Sequence, residues 1–484
     1  MSNSKKISVK VNYLYSLSYQ ILLIIMPFIT TPYISRALGA EAIGIYSFTY
    51  AQLTYFILVG VLGLSTYSQL QVAKLRDNAE ALSQFCVEVI ALRVITMGLS
   101  ILLFIFVVAI NSVDKYIYLA HLTVLVANGI DITWLFQGLE DFKTVTIRNF
   151  IVKILTVIAI FLFVKTEKDL ILYALLMGGG TLLGNMSVVP FLRRYVHVSL
   201  CKRLNLNRHI KATIIYFLPS IASVLITTVD KMMLGFYFPD KIQNGYYEQA
   251  SKIELMIFTL FSSLNLTMRS HMAYLSAQGK KDEIKGKMMI SVQFVVLLAV
   301  PISFGLFGIS RNFVPWFFGA GYSYVVNLLK VFAAWITFKA ISNCILEQYI
   351  IPNDGQVWAT KMVWCAAFLN VILNVALIPQ HGAVGAAMAS VICEFFILYM
   401  VVKKSKRVLD FRSLWEILWK KIISAAGMVV LLLVTEKYFA PNIIGTCCQV
   451  MLGCIVYFLV IICLRDTFVT NVLREVVNRI RRKR

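Results

Sequence analysis

The chain has 484 residues, of which 59% are hydrophobic and 14% charged, and its formal net charge is +22. This is too apolar for an ordinary soluble domain and too poor in charge for a disordered chain. The polar breaks between apolar runs reach only about 15 to 20 residues, well short of the ~50 a folded domain needs, so no soluble domain fits between them.

Fourteen apolar runs follow in order, near 11–34, 43–68, 86–109, 116–138, 148–164, 170–192, 212–236, 246–268, 288–309, 322–346, 358–378, 383–402, 415–435 and 443–464. About 20 apolar residues at 1.5 Å each match the ~30 Å hydrocarbon core of a bilayer. In lipid the backbone must satisfy its own hydrogen bonds, so each run predicts a helix. The expected fold is an all-α polytopic membrane protein with about fourteen transmembrane helices.

The first run follows Lys5, Lys6 and Lys10 and is longer than a signal-peptide core, so it reads as a retained helix. In the sixth, Gly180 and Gly184 form a small-xxx-small pair suited to helix contact. The stretch Phe313 to Gly319 reads as an interfacial aromatic belt. After the last run, Val472, Leu473, Val476, Val477 and Ile480 share a face, with arginines around the rest. That predicts an amphipathic helix on the membrane surface. The nine cysteines are scattered and predict free thiols packed in helices.

With the N-terminus inside, cations collect in alternate breaks. Arg193, Arg194, Lys202, Arg203 and Arg208 fill one inner break, and Lys403, Lys404, Lys406, Arg407 and Arg412 another. The opposite breaks hold few, such as Arg36, Lys115 and Lys437. This positive-inside pattern predicts two cytoplasmic termini. The basic excess is then topological, drawn to anionic membrane lipid and not to nucleic acid.

The chain also repeats itself. Pro27, Leu38-Gly39 and Gly44-Ile45-Tyr46 are echoed by Pro219, Leu234-Gly235 and Gly245-Tyr246-Tyr247. Gln137-Gly138-Leu139-Glu140-Asp141 and Gln348-Tyr349-Ile350-Ile351-Pro352 match more loosely at the ends of spans 4 and 10. An offset of six spans makes parallel repeats about an axis normal to the membrane, a pattern of transporters. The expected organisation is two pseudo-symmetric six-helix lobes, 1–210 and 211–410, with two appended spans and a basic tail in 411–484.

Ionisable residues inside spans are costly and by default face an interior or a cavity. The candidates for a cationic cavity are Arg36, Arg148, Lys153, Lys231 and Lys252. Asp230 and Glu394 are candidates for a coupling ion. A mainly cationic set suits an anionic substrate, because a guanidinium grips phosphate oxygens through paired hydrogen bonds. Asn343, Glu347, Gln348, Asn370 and Asn374 could hydrogen-bond sugar hydroxyls or join helices. There is no Gly-x-x-x-x-Gly-Lys-Ser/Thr loop and no His-Glu-x-x-His pattern. No cofactor is expected beyond proton or sodium coupling.

Asn12-Tyr13-Leu14-Tyr15 and Thr31-Pro32-Tyr33-Ile34-Ser35-Arg36-Ala37-Leu38-Gly39 closely resemble bacterial oligosaccharide flippases of the Wzx type. So do Asp230-Lys231-Met232-Met233-Leu234-Gly235, Gly245-Tyr246-Tyr247-Glu248 and Phe313 to Gly319. The resemblance covers nearly the whole chain in order. It implies the multidrug/oligosaccharidyl-lipid/polysaccharide exporter superfamily, with two MATE-like six-helix lobes around a central cavity. It also implies transport of an undecaprenyl-pyrophosphate oligosaccharide across the bacterial inner membrane by alternating access, for O-antigen or capsule synthesis. A polysaccharide polymerase and a chain-length regulator are the implied partners. The alternatives are a multidrug/cation antiporter of the same fold, or a membrane-embedded polymerase or glycosyltransferase.

Overall fold

The computed structural model describes residues 9–109, 114–197, 204–471 and 474. They form helices and connecting turns without a strand. In chain order the α-helices are α1 (Val9–Val61), α2 (Leu64–Leu75), α3 (Ala79–Phe104), α4 (Lys115–Gly129) and α5 (Thr133–Gly138). Then come α6 (Phe142–Phe163), α7 (Leu170–Met186), α8 (Asn207–Tyr237), α9 (Ile242–Ala277) and α10 (Lys281–Phe318). The last five are α11 (Val325–Ile345), α12 (Gln356–His381), α13 (Ala383–Lys404), α14 (Phe411–Thr435) and α15 (Ile443–Cys463). The all-helical expectation holds. Most of the predicted amphipathic tail lies outside the described residues.

Among the described residues twelve helical stretches are long and apolar enough to cross a membrane, against the fourteen expected. Two places account for the difference. The first stretch, Ile25–Leu75, is a single run of 51 residues. At 1.5 Å per residue it is about 75 Å long, more than twice the hydrocarbon thickness. It is broken at Gly39, where φ is 75°. The other is α9, whose 36 residues are too polar to qualify, with Gln249, Lys252, Glu254, Asn265 and Arg269 along it.

The chain divides into two compact units, residues 1–245 and 246–484. In unit 1, α1 packs on α3, α4, α6 and α8, and α4 packs on α7. One core gathers Tyr67, Phe85, Trp134 and Phe136, and a second gathers Leu53, Met97, Phe104 and Leu125. In unit 2, α10 packs on α11, α14 and α15, and α13 packs on α11 and α12. The expected boundaries at 210 and 410 divide the chain by internal repeat, whereas these units divide it by packing. Apolar residues left exposed, such as Leu99, Leu102 and Phe106, are the surface lipid would cover.

Phe313 to Gly319 is not a surface belt. Phe317 and Phe318 are fully buried, and the Phe313 and Phe317 rings stack at 4.7 Å. Trp316 points its Nε1–H at Thr446 Oγ1, 2.7 Å away on α15. The appended helix pair holds Trp316 here, where a span-by-span reading leaves the stretch at the membrane surface. Cys86, Cys344 and Cys393 are buried as expected, but Cys365, Cys447, Cys448, Cys454 and Cys463 are exposed.

Two of the repeated motifs meet. A Cβ on Gly44 would lie 1.8 Å from the Lys241 carbonyl oxygen, and a Cβ on Gly245 would lie 1.9 Å from that of Ala40. Each carbonyl sits four residues before the opposite glycine, so the contact is reciprocal. It is the backbone-to-backbone approach that only glycine permits. The α6–α7 crossing is also close, since a Cβ on Gly180 would fall 2.3 Å from Thr156 Oγ1.

Candidate functional site

Arg36 lies on α1 one turn before the Gly39 break and is exposed. Arg148 is half-buried on α6. It donates from Nη1 to Asn185 Oδ1 on α7 at 3.1 Å, and Asn185 Nδ2 donates to the Ala127 carbonyl at 2.8 Å. Three helices therefore fix the Arg148 guanidinium. Lys153 follows five residues later, about 140° around the helix at 100° per residue. It is half-buried, and no hydrogen-bond or ion-pair partner meets it among the described residues. A cation within an apolar helix without a neutralising partner is costly to keep, which makes Lys153 a candidate for a functional role.

On α8, Asp230 is buried. Two residues earlier, Thr228 donates to the Tyr55 hydroxyl of α1 at 2.9 Å. The Lys231 carbonyl accepts from Asn244 Nδ2 at 2.8 Å, tying the end of α8 to the start of α9. Between them Lys241 donates to the Gly235 carbonyl and lies 4.3 Å over the Phe48 ring. Burial pushes the Lys241 ammonium down from its ordinary value, against the pull of Asp114 and Asp240.

The remaining candidates belong to unit 2. Lys252 pairs with Glu248 one turn earlier at 3.6 Å. Glu394 on α13 is buried, 3.1 Å from Lys339 Nζ, and accepts from Ser342 Oγ at 2.5 Å. It is already neutralised by a cation of α11. At the end of α11 the helix widens into a π turn over Leu346–Ile350, a feature frequent at functional sites. Asn265 of α9 donates to Asn343 Oδ1 at 2.7 Å and accepts from Gln348 Nε2 at 2.9 Å. Arg269 meets Glu347 at 2.9 Å. Unit 1 thus carries Arg36, Arg148, Lys153, Asp230 and Lys231, and unit 2 carries Lys252 and Glu394.

Sequence reasoning passed over three groups. Arg269 reads as a loop cation, yet it lies on α9 beside the π turn. Arg93 and Asp131 read as separate intramembrane charges, yet they lie 3.7 Å apart at the gap between α4 and α5. Glu88 was not singled out. It is buried on α3 and meets Arg208 at 2.5 Å and His209 at 2.7 Å. The available signal was a carboxylate within an apolar run that has no cation one helical turn away. Among the described residues no group of three His, Cys, Asp or Glu side chains could hold a metal ion.

Known proteins with the same features were found by sequence and by fold. An Escherichia coli K12 protein named "Putative O-antigen transporter" is 22% identical over 418 residues, which are 84% of this chain and 99% of that protein. The "Probable lipid II flippase MurJ" of Aquifex aeolicus is 25% identical over 215 residues, 42% of this chain and 41% of that one. Among solved structures, one titled "Lipid II flippase MurJ, inward closed conformation" matches with a TM-score of 0.74 at 14% identity, covering 96% of this chain and 99% of that one. A MATE family multidrug resistance transporter matches at 0.59 and 11%, covering 81% and 99%. These two likenesses show the fold. The family described as polysaccharide biosynthesis proteins matches residues 9–268, more than half of the chain. The match bears out the resemblance to Wzx-type flippases read from the motifs, and the chain belongs to the polysaccharide biosynthesis protein family.

Proposed function

We propose that this protein flips a lipid-linked oligosaccharide, with the sugars joined to undecaprenyl pyrophosphate, from the cytoplasmic to the outer leaflet of the bacterial inner membrane. The observation that carries the reading is Lys153, a half-buried cation on an apolar helix with no partner among the described residues. A pyrophosphate carries the opposite charge, and a flippase must hold it while the polyprenyl tail stays in lipid. The family, and relatives named as an O-antigen transporter and as flippases, support this reading.

A sugar-pyrophosphate headgroup cannot cross hydrocarbon alone. Lys153 would offer a compact point charge and Arg148 a planar fork already oriented by Asn185. Arg36 would meet the headgroup at the other end of the path. In this reading the two lobes alternate between inward-open and outward-open states. A proton or sodium gradient acting through Asp230 or Glu394 resets them. The product feeds a polymerase and a chain-length regulator, and both termini face the cytoplasm.

The test is flipping of a labelled polyprenyl-pyrophosphate oligosaccharide in proteoliposomes. Lys153→Ala is expected to lower the rate at least tenfold while the melting temperature stays near wild type. An unchanged rate would remove Lys153 from the headgroup site. The MATE-like fold favours a second reading, a cation or drug antiporter. Uptake of a cationic dye without lipid flipping would establish that one instead.

A further inference from the structure

The aromatic belt that the sequence places at Phe313 to Gly319 has a counterpart on α14. Phe411, Trp415 and Trp419 stand about one turn apart on one face, and all three are exposed. Tyr399, near the end of α13, extends the stripe, its ring stacked on that of Phe411 at 5.5 Å. Trp415, Glu416, Trp419, Ile422 and Ile423 line an open groove of about 440 Å³, a size within the range of small-ligand sites.

The depth of this stripe follows from α15. Its 21 residues at 1.5 Å each match the ~30 Å hydrocarbon core, so its last turn marks one edge of that layer. Just past that turn, the Arg465 carbonyl accepts from Lys420 Nζ at 3.0 Å, and Asp466 pairs with Lys421 at 2.8 Å. α14 therefore crosses the same edge near residue 420. Phe411, Trp415 and Trp419 stand at the level of lipid headgroups, where Trp and Tyr are favoured. Ile422 and Ile423 lie on the hydrocarbon side.

Charge at this level is one-sided. Residues 403–420 hold Lys403, Lys404, Lys406, Arg407, Arg412 and Lys420 against Asp410 and Glu416. Both acids are engaged: Asp410 caps α14 by accepting from the Ser413 N–H, and Glu416 pairs with Arg412 at 3.3 Å. Lys403 and Lys420 meet no carboxylate among the described residues. Each lies over a ring of the stripe, Lys403 at 6.0 Å from the centre of Tyr399 and Lys420 at 5.5 Å from that of Trp419.

We propose that the end of α13 and the first half of α14 bind an anionic phospholipid. Its phosphate meets Lys420, its glycerol lies against Trp415 and Trp419, and one acyl chain follows Ile422 and Ile423. A zwitterionic lipid would bring a choline cation among six others, whereas a net-negative headgroup meets only complementary charge; a basic cluster beside a membrane helix has this preference generally. The site lies within unit 2 and does not depend on the flippase reading.

The test is native mass spectrometry of the detergent-solubilised protein with phosphatidylglycerol or phosphatidylcholine of the same acyl chains. A saturable first adduct is expected, about tenfold tighter for phosphatidylglycerol, the scale of two basic residues beside an anionic headgroup. Lys403→Gln with Lys420→Gln should remove most of that preference while the melting temperature stays near wild type. Trp415→Ala should weaken both lipids alike, because it lines the groove but bears no charge. Equal affinity for the two lipids in wild type, a double variant that keeps the full preference, or Trp415→Ala binding unchanged would overturn the site. So would tighter binding of undecaprenyl phosphate lost in the same variants, which would give the groove to the polyprenyl lipid, or a dimer lost in them, which would give it to a second copy of the chain. No arm measures flipping, so a protein that does not flip leaves the result standing.

Discussion

Arg93 shows how much of a charged residue's role is set by its neighbours. Its side chain is 2% exposed, donates to the Asn128 carbonyl at 2.8 Å and to Ser65 at 3.1 Å, and faces Asp131 at 3.7 Å. Removing one member of a buried ion pair leaves the other uncompensated, which costs about 3–5 kcal/mol. Arg93→Met is therefore expected to lower the thermal midpoint strongly, and adding Asp131→Asn should restore much of the loss. An Arg93→Met protein that melts like wild type would mean the pair contributes nothing. The glycine crossing gives a second expectation. Gly44→Ala or Gly245→Ala forces a methyl against a backbone carbonyl, and overpacking of this kind costs about 1–3 kcal/mol. Thermal melting of each variant checks it. That cations occur inside the spans is plain from the sequence. That Arg93 meets Asp131 while Lys153 meets no partner among the described residues is not, because the partners a charge finds lie on other helices.

Single elements depart from regular helices where the sequence carries little warning. The gap between α4 and α5 is organised by Asp131, whose Oδ1 accepts from the Thr133 N–H at 2.9 Å and hydroxyl at 2.6 Å. The whole stretch is apolar enough to read as one span. The π turn after α11 is similarly invisible to hydropathy, because a widened turn keeps nearly the same side-chain pattern. Helix caps are more legible. Asp410 precedes α14 and accepts from the Ser413 N–H at 2.8 Å. That bond holds its carboxyl below the 3.8 of an ordinary aspartate. A depressed carboxyl contributes stability above the unfolded value and loses it as pH falls through the folded value. The start of α14 is therefore expected to fray only below about pH 4. Asp410→Ala should fray it already at pH 7. Hydrogen exchange of residues 411–415 checks both, and wild-type protection lost well above pH 4 would contradict the cap.

At the scale of the whole chain, the appended helices behave as part of unit 2. α14 and α15 pack on α10, and Leu432 of α14 fits against Gly308. A buried pair, Lys421 with Asp466 at 2.8 Å, ties α14 to the turn after α15. Ending the chain at residue 410 would uncover the face of α10 that holds Gly308, Asn312 and Trp316. The expected outcome is loss of a monodisperse peak in detergent gel filtration. A truncated protein that stays monodisperse and flips substrate would make the pair dispensable.

The sequence by itself determined that the chain lives in a membrane, that it is helical throughout, and which family it resembles. Hydrocarbon thickness and the backbone's need for internal hydrogen bonds act on any apolar run, whatever surrounds it. The repeated Gly-x-Tyr triplets were also legible, because backbone contact tolerates only glycine there. The tertiary structure decided the rest: that those two triplets touch each other, that Phe317 and Phe318 are core, that Glu394 is neutralised by Lys339, and that Glu88 holds the entry to α8. Each of these depends on residues tens to more than a hundred positions apart. Side-chain hydrogen bonds and ion pairs reach only a few ångströms, so which distant residues meet is settled by how the helices pack.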